Sequence, residues 1–246
     1  MVRYPRMLAA GDAALTVEFG GTIDPAINDQ VITFAQAVNG LSLSGLIETV
    51  PTYRSATVYF DPVVTDVDWL TARLQALAND VPHACMRETR TREVPVLYGG
   101  ACGPDLPDLA AFTRLSAQEV IAVHASVEYR VYMLGFLPGF PYMAHVPDTI
   151  AMPRLASPRA RVPKGSVGIA GSQTGIYPVE SPGGWRLIGR TPLRLFEASR
   201  TAPFLLQPGD RVRFVSIDQG EYDRLSAESN KAKGKGKSEV KGTFYF

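Results

Sequence analysis

The stretch MLGFLPGFPYM, residues 133–143, combines two glycines, two prolines and three aromatic residues in eleven positions. Pro138 and Pro141 exclude the interior of a helix or of a central strand, because proline donates no backbone hydrogen bond. Gly135 and Gly139 mark positions where the backbone adopts unusual dihedral angles or approaches a neighbour closely. The stretch is too short to span a bilayer. We therefore predict a rigid apolar loop, and loops of this kind on a scaffold commonly bind something.

The sequence after this loop, as far as about residue 216, is rich in turn signals such as SPGG and QPGD. Before the loop, Ser116 and Glu119 fit a capping box that begins a short helix, and residues 127–134 alternate as a strand. Short strands at close turn spacing are typical of a β-barrel or a β-sandwich.

The residues before about position 90 follow a different pattern, in which strands and helices alternate. Residues 14–19 alternate as a strand, Asp24 caps a helix, and two further strands precede a second helix that begins at Asp66. Residues 92–98 are β-branched and are predicted as the closing strand. This order is the split βαβ pattern of ferredoxin-like domains.

We therefore predict an α+β protein with a ferredoxin-like α/β domain over residues 1–90 and a β-barrel domain over residues 91–220. Residues 221–246 are predicted as a flexible lysine-rich tail, because the segment 228–241 is rich in Lys, Gly and Ser and cannot build a core.

Composition and charge exclude several classes of function. The formal net charge is +1, so no global field favours nucleic acid or a membrane surface. No apolar run approaches the length of a membrane helix, and no secretory signal is evident. Cys85 and Cys102 follow no metal or redox spacing, which favours a reduced cytoplasmic protein.

The aromatic loop is the first candidate site. Phe136, Pro138, Phe140 and Tyr142 could wall a pocket or form a landing site for a partner, since aromatic residues are enriched at both. The alternative is a core plug whose prolines fix the corner of a small barrel.

A basic strip follows in residues 153–165, where Arg154, Arg159, Arg161 and Lys164 occur with no acidic side chain. Arginine binds carboxylate and phosphate in a bidentate manner, so the strip favours an anionic ligand. The alternative is an ordinary charged surface loop, although the three prolines of the strip would hold the arginines in place.

The glycine-rich segment 165–175 contains neither a P-loop nor a dinucleotide fingerprint. Tight turns between strands are the simplest interpretation. A backbone that approaches a ligand closely is the alternative, with hydrogen bonds from Ser166, Gln173 and Thr174.

Three other features carry weaker signals. Trp185 follows a glycine pair near Tyr177 and Glu180, and it could be a core residue or a recognition residue. His124 stands four residues before Glu128 and could be a general base, although a structural histidine is the simpler interpretation. His83 and His145 have no partners at ligand spacing, so no metal site is predicted.

Several motifs occur in one order between about residues 94 and 215, namely VPVLYGG, HASVEY, LGFLPGFPYM, PRARVPKGSVGIAGSQTGIYP, SPGGWRLIGRTPLRLF and LLQPGDRVRF. Together they resemble the KipI/allophanate hydrolase subunit 1 family, and within it most closely the B subunits of 5-oxoprolinases. The resemblance implies a cyclophilin-like barrel after an α/β domain. It also implies that two family motifs have counterparts here. The family's basic and glycine-rich strip corresponds to Arg159, Arg161, Gly165, Ser166, Gln173 and Thr174, and its aromatic loop corresponds to Gly135, Phe136, Pro138, Gly139, Phe140 and Tyr142.

The resemblance also implies a function. Such B subunits act with an A subunit and with a KipA-type C subunit in the ATP-dependent hydrolysis of 5-oxo-L-proline to L-glutamate. The chain would then be a non-autonomous subunit, with ATP bound somewhere in the complex and a small lactam as substrate. The alternatives are inhibition of a sensor histidine kinase, as KipI does, and a role in a urea carboxylase/allophanate hydrolase system. Prolyl isomerase activity rests on barrel analogy alone.

Overall fold

The structure is a computed structural model that describes residues 2–82 and 89–232. The chain divides into two compact units at the boundary between Thr89 and Arg90. The helices and strands of the first unit are β1 (Arg6–Ala9), β2 (Ala14–Glu18), α1 (Pro25–Asn39), β3 (Leu46–Pro51), β4 (Ser55–Phe60) and α2 (Val67–Asp80).

Both helices of the first unit begin where the sequence predicts. The Asp24 carboxylate accepts hydrogen bonds from the backbone N–H groups of Ala26 and Ile27, and α1 follows. The Asp66 carboxylate accepts from the N–H of Trp69 at the start of α2. Side-chain oxygens at these positions satisfy N–H groups that have no partner inside the helix. The two helices and the sheet share one apolar core that includes Val17, Val31, Phe34, Val38, Val58, Leu70 and Leu74.

The strands of the first unit form one antiparallel sheet in the order β1-β2-β4-β3. The prediction that residues 92–98 close this sheet is wrong, because they belong to a strand of the second unit. Strand β1 takes the edge position beside β2 instead, with Met7 opposite Val17. The predicted ferredoxin-like strand order is therefore not confirmed.

The second unit contains thirteen elements within the described residues, counting one 3₁₀ turn. They are β5 (Thr91–Tyr98), α3 (Leu106–Thr113), α4 (Ala117–Ser126), β6 (Glu128–Leu134), β7 (Pro141–Ala144), the 3₁₀ turn Asp148–Ile150, β8 (Arg159–Val162), β9 (Ser166–Ala170), β10 (Gln173–Ile176), β11 (Ser181–Gly183), β12 (Arg186–Arg190), β13 (Arg211–Ser216) and α5 (Gln219–Ala232).

Seven strands of the described part close a barrel in the order β10-β7-β6-β13-β5-β12-β9, which confirms the predicted barrel. Strand β13 runs parallel to β5, with Phe214 opposite Val94. Closure leaves no free edge in the barrel, and the alternate residues of its strands fill the interior. The interior includes Val94, Val96, Tyr129, Val131, Met143, Val167, Ile169, Ile176, Val212 and Phe214. Strands β8 and β11 pair separately as a two-stranded ribbon.

The end of the described chain is helical. Arg224 forms ion pairs with Glu221 and Glu228 at helical spacing along α5. The prediction of a flexible tail is therefore wrong for residues 221–232, and residues 233–246 lie outside the described part. None of the helices in the described ranges is long and apolar enough to cross a membrane.

A glycine after β5 brings the start of α3 against the barrel. A Cβ atom at Gly103 would lie 2.1 Å from the carbonyl oxygen of Ile188, which is a backbone atom of β12. Backbone cannot yield as a side chain can, so the contact requires glycine. Just beyond it, the Asp105 N–H donates a hydrogen bond to the Leu187 carbonyl at 3.0 Å, which fixes the same approach.

We expect Gly103→Ala to lower the free energy of unfolding by about 2 kcal/mol, because the added methyl group forces β12 and the α3 start apart. Gly220→Ala, in the first turn of α5, is the control and should change stability by less than about 1 kcal/mol, in the stabilising direction. Urea unfolding followed by circular dichroism measures both. Equal midpoints for the two variants would contradict the packing described.

Candidate ligand recess

A surface recess of about 270 Å³ lies on the outside of the barrel unit. Its wall is mostly aromatic and proline-rich, and it carries one cation. The lining residues are Phe136, Phe140, Tyr142, Arg154, Pro158, Tyr177, Pro182, Gly183, Gly184 and Trp185.

The loop before β7 contributes one face of the recess. Phe136 and Gly139 both have positive φ, at 63° and 82°. The loop is closed by hydrogen bonds from the N–H of Gly135 to the Phe140 carbonyl and from the N–H of Phe140 to the Leu137 carbonyl, at 3.2 and 3.0 Å. A non-glycine residue at positive φ is strained and persists only where the surroundings impose it. The structure thus confirms the predicted loop, and its hydrogen bonds and strained backbone support the predicted rigidity.

The two phenylalanines of this loop have different roles. Phe140 is 1% exposed and Phe136 is 61% exposed. The Phe140 ring lies 5.1 Å from Tyr177, 5.3 Å from Trp185 and 4.9 Å from Tyr142, measured between centroids. Edge-to-face and tilted arrangements at these distances are favourable. The alternatives of core plug and pocket wall therefore both hold, since Phe140 anchors the loop and the exposed ring of Phe136 lines the recess.

Two glycines before Trp185 differ in what surrounds them. A Cβ atom at Gly183 would lie 2.3 Å from the Tyr177 hydroxyl oxygen, whereas at Gly184 the nearest atom would be 3.6 Å away. The Tyr177 ring therefore requires glycine at 183 in order to reach its place in the wall. This contact explains the first glycine of the pair that precedes the tryptophan.

Arg154 is the cation of the recess. Its guanidinium carbon lies 5.7 Å from the centre of the Trp185 ring, a cation–π arrangement. The sequence places Arg154 in the basic strip but gives no reason to prefer it over the other three cations. The structure distinguishes the arginines of the strip by the side chains that each one contacts.

The other two arginines of the strip are paired with carboxylates and do not line the recess. Arg159 forms an ion pair with the buried Asp105, whose second oxygen accepts from the Leu187 N–H at 2.7 Å. Arg161 pairs with Glu180 at 2.7 Å on the surface. This geometry does not support their predicted role as ligand-binding cations, which stays a prediction. The two carboxylates lie outside the strip, so the strip alone does not reveal them. Lys164 is exposed and also does not line the recess.

The two phenols of the recess remain protonated at neutral pH. Burial raises the pKa of Tyr142, and the charge of Arg154 opposes this only in part. Burial likewise raises the pKa of Tyr177, against a hydrogen bond from the Trp185 backbone and the charge of Arg154. The hydroxyls can donate or accept hydrogen bonds, but neither is a general base in this state.

The glycine-rich segment forms the β9–β10 hairpin, which turns at Gly171 with a φ of 58°. Ser166 and Thr174 are fully buried in the barrel, where the Thr174 hydroxyl donates to the Gly168 carbonyl at 3.0 Å. Gln173 starts β10 opposite Ala170. None of these three lines the recess, so the simpler interpretation as strands and a tight turn is the correct one.

His124 is buried in the barrel. Its Nδ1 lies 2.8 Å from the Tyr98 hydroxyl, its Nε2 lies 3.1 Å from the Thr174 hydroxyl, and its ring stacks on Phe214 at 4.5 Å. Complete burial lowers its pKa to about 3, so the ring is neutral. Glu128 lies on β6, where it pairs with Arg211 at 3.3 Å. The structure thus favours the structural histidine over the general base.

The remaining predicted residues are more dispersed. Pro138 is exposed beside Phe136, in a shallow apolar surface that Leu137 and Phe204 extend. His145 is hydrogen-bonded to the Tyr132 hydroxyl at 2.8 Å, and His83 and Cys85 lie outside the described residues. In the part of the chain that the structure describes, no group of His, Cys, Asp or Glu side chains could hold a metal ion.

The fold is thus a closed barrel unit that carries an aromatic surface recess with one cation in its described lining. In comparison with known proteins, residues 5–206 match the family described as carboxyltransferase domain, subdomain C and D. The chain belongs to this family, in which the KipI/allophanate hydrolase subunit 1 proteins fall.

Two relatives align over nearly their whole length. Proteins named as the B subunit of 5-oxoprolinase, from Bacillus subtilis (strain 168) and Escherichia coli O157:H7, are each 42% identical to this chain. The matches cover 93% and 87% of this chain and 99% and 97% of the relatives. A urea amidolyase from Lachancea kluyveri is 38% identical over only 30% of this chain and 4% of that protein.

Solved structures show the same fold. TTHA0988, whose crystal structure is known, is 39% identical with a TM-score of 0.74, and the match covers 83% of this chain and 40% of that chain. The conserved uncharacterized protein PH0987 from Pyrococcus horikoshii is 44% identical with a TM-score of 0.54, over 88% of this chain and 100% of that one. Kluyveromyces lactis urea carboxylase, at 21% identity and a TM-score of 0.74 over 92% of this chain and 23% of that chain, shows the fold alone.

We expect Arg159→Ala to lower the free energy of unfolding by about 2–3 kcal/mol, because it leaves the buried Asp105 carboxylate without its cation. Arg161→Ala should cost less than about 1 kcal/mol, since its ion pair is exposed to solvent. Urea unfolding of the two variants in the same buffer tests the comparison. A larger effect at Arg161 would contradict the assignment of the two pairs.

We expect His124 to make the protein less stable in acid. Below the ordinary pKa of 6.5 the unfolded chain gains a proton that the native ring, with a pKa of about 3, does not bind. Stability therefore falls by about 1.4 kcal/mol per pH unit as pH drops below about 6.5. Between pH 7 and pH 5 the wild type should lose about 2 kcal/mol relative to His124→Gln, measured by urea unfolding. Parallel pH profiles for the two proteins would rule this out.

Proposed function

We propose that this chain is the B subunit of a 5-oxoprolinase and that it supplies a ligand-binding surface to a site completed by other subunits. The observation that carries the proposal is the composition of the recess, which holds rings, two phenols and one guanidinium but no carboxylate, histidine or thiol in its described lining. The two relatives that align over nearly their whole length and are named as this subunit support it.

The lining explains why such a protein would not act alone. Opening a lactam requires a water or nucleophile, a base to activate it, and groups that stabilise the developing oxyanion. Tyr142 and Tyr177 can donate hydrogen bonds, and Arg154 provides positive charge, but both phenols keep their protons. The base would have to come from another polypeptide.

An exposed apolar surface next to the recess supports the docking of a partner. Phe136 and Phe204 are 61% and 39% exposed, and both border the shallow surface around Leu137 and Pro138. Clustered exposed aromatic residues are typical of protein interfaces. We propose that a KipA-type C subunit covers this surface and that an A subunit completes the enzyme.

The recess is better suited to a small ligand than to ATP. A volume of about 270 Å³ and a single lining cation suit a small ring with one negative charge better than a nucleoside triphosphate. The sequence also offers no glycine-rich phosphate loop of the P-loop type. We therefore propose that the ATP used to activate the lactam binds elsewhere in the complex.

The two alternative functions have less support. The match to a urea amidolyase covers a small part of both proteins, which weakens the urea-system hypothesis. Inhibition of a sensor histidine kinase stays a prediction, and autophosphorylation assays with this chain alone would test it. The same exposed aromatic residues would serve as the landing site in that case.

The proposal predicts that 5-oxo-L-proline is converted to glutamate, with ATP consumed, only when this chain is present with the A and C subunits. Glutamate release is measured for the full set and for the set without this chain. The activity should fall at least about a hundredfold on omission, because one wall of the site is lost. Full activity without the chain would contradict the proposal.

A matched pair of variants ties the activity to the recess. Gly183→Ala displaces the Tyr177 ring, whereas Gly184→Ala meets only ordinary contacts. In the assembled enzyme, the first should lower kcat/KM at least about tenfold, because it disturbs the binding wall, and the second should stay within about threefold of the wild type. Both variants should assemble with the partners, as size-exclusion chromatography can show. Equal activity of the two variants would contradict a role for the recess.

A further inference from the structure

The basic strip contains one arginine whose charge the described part of the protein leaves unpaired. Arg159 and Arg161 are neutralised by Asp105 and Glu180. No carboxylate of the described residues lies within ion-pair distance of Arg154, whose guanidinium makes a cation–π contact with the Trp185 ring at 5.7 Å. A cation–π contact uses the charge of the guanidinium and not its N–H hydrogen bonds, so these donors stay available for a planar anion.

The backbone around Arg154 is held on both sides. The N–H of Leu155 donates to the Gly184 carbonyl at 2.7 Å, and the Arg186 guanidinium donates to the Pro153 carbonyl at 3.2 Å. Both contacts tie the segment to the chain that surrounds Trp185. The backbone that carries Arg154 is therefore fixed beside the recess before any ligand arrives, which lowers the entropy cost of binding.

The surroundings favour a carboxylate over a phosphate. A phosphate site collects several cations or backbone N–H groups, whereas this recess has one guanidinium beside an aromatic wall. A bidentate pair between one guanidinium and one carboxylate matches the single charge. The rings of Phe136, Tyr142 and Trp185 then offer apolar surface to the rest of a small ligand.

We infer that Arg154 is the specificity-determining residue of the recess and binds the carboxylate of a small cyclic amide whose ring packs on the aromatic wall. This inference rests on the proposed function, because 5-oxo-L-proline is the lactam in question. It adds the residue that distinguishes the acid from an uncharged lactam of the same ring size.

The test uses the assembled enzyme with three variants of this chain. In Arg154→Ala the KM for 5-oxo-L-proline should rise at least about tenfold, because one charge-assisted bidentate contact is lost. In Arg154→Lys the KM should rise less, because the positive charge is kept. Arg213→Ala is the control, since Arg213 lies on β13 opposite Glu93 and outside the recess, and its KM should not change.

A second measurement separates ligand recognition from a structural role. The inhibition constant of 2-pyrrolidinone, which has the ring without the carboxylate, should be the same in wild type and Arg154→Ala. A variant that merely distorts the recess would weaken both ligands, and that result would overturn the inference. If Arg154→Ala is inactive, equilibrium dialysis with labelled 5-oxo-L-proline replaces KM, and an affinity within about twofold of the wild type would likewise overturn it.

The inference and the proposed function fail in different ways. If the other subunits are fully active without this chain, the proposed function is contradicted, whatever the effect of Arg154→Ala. Activity that needs this chain, with an unchanged KM in Arg154→Ala, keeps the function and overturns the inference. Weaker assembly of the complex in Arg154→Ala with an unchanged KM would also overturn it, because Arg154 would then be a partner contact.

Discussion

The packing of the Phe140 ring is the constraint on which the recess depends. The ring lies against the backbone of β10 at Gly175, where a Cβ atom would come within 2.9 Å of it. It also makes tilted or edge-to-face contacts with Tyr142, Tyr177 and Trp185. Because this one ring joins the loop, the barrel wall and the segment around Trp185, the shape of the recess is set by packing more than by hydrogen bonds.

The ion pair between Asp105 and Arg159 has a related structural role. Asp105 stands at the start of α3, accepts from the Leu187 N–H on β12, and binds Arg159 on β8. One buried carboxylate thus connects a helix, a barrel strand and the ribbon that borders the recess. Such a pair gives geometric definition more than net stability, since its desolvation cost offsets much of its attraction.

Much of the fold could be predicted from the sequence, because its local signals are strong. Asp24, Asp66 and Ser116 cap helices where they are expected to, and the turn-rich second half closes as a barrel. The strand at 92–98 is predicted correctly as a strand but in the wrong sheet. Alternating apolar residues identify a strand without saying which sheet it joins, and here the pairing with β13, far away in the sequence, decides the outcome.

The site could be predicted only in part for the same physical reason. Proline and glycine limit the backbone locally, so the sequence reveals the rings of the wall, and Phe136, Phe140, Tyr142, Tyr177 and Trp185 do meet in the recess. The role of each arginine depends on carboxylates that approach from other parts of the chain. The partner of Arg159 is Asp105, which precedes α3, and nothing in the basic strip itself indicates that contact.

The three arginines of the basic strip are not scattered surface charges. Two of them pair with carboxylates, and the third lies beside an aromatic wall. Arg159 and Arg161 pair with Asp105 and Glu180, so their charges are cancelled within the chain. Arg154 instead makes a cation–π contact with Trp185, which does not cancel the charge of the guanidinium. In the function proposed above, the recess, whose described lining contains no base, holds an anion in place while the reacting groups approach from another polypeptide. Binding and chemistry would then be divided between subunits, and the rigidity of the loop would serve the first of these tasks.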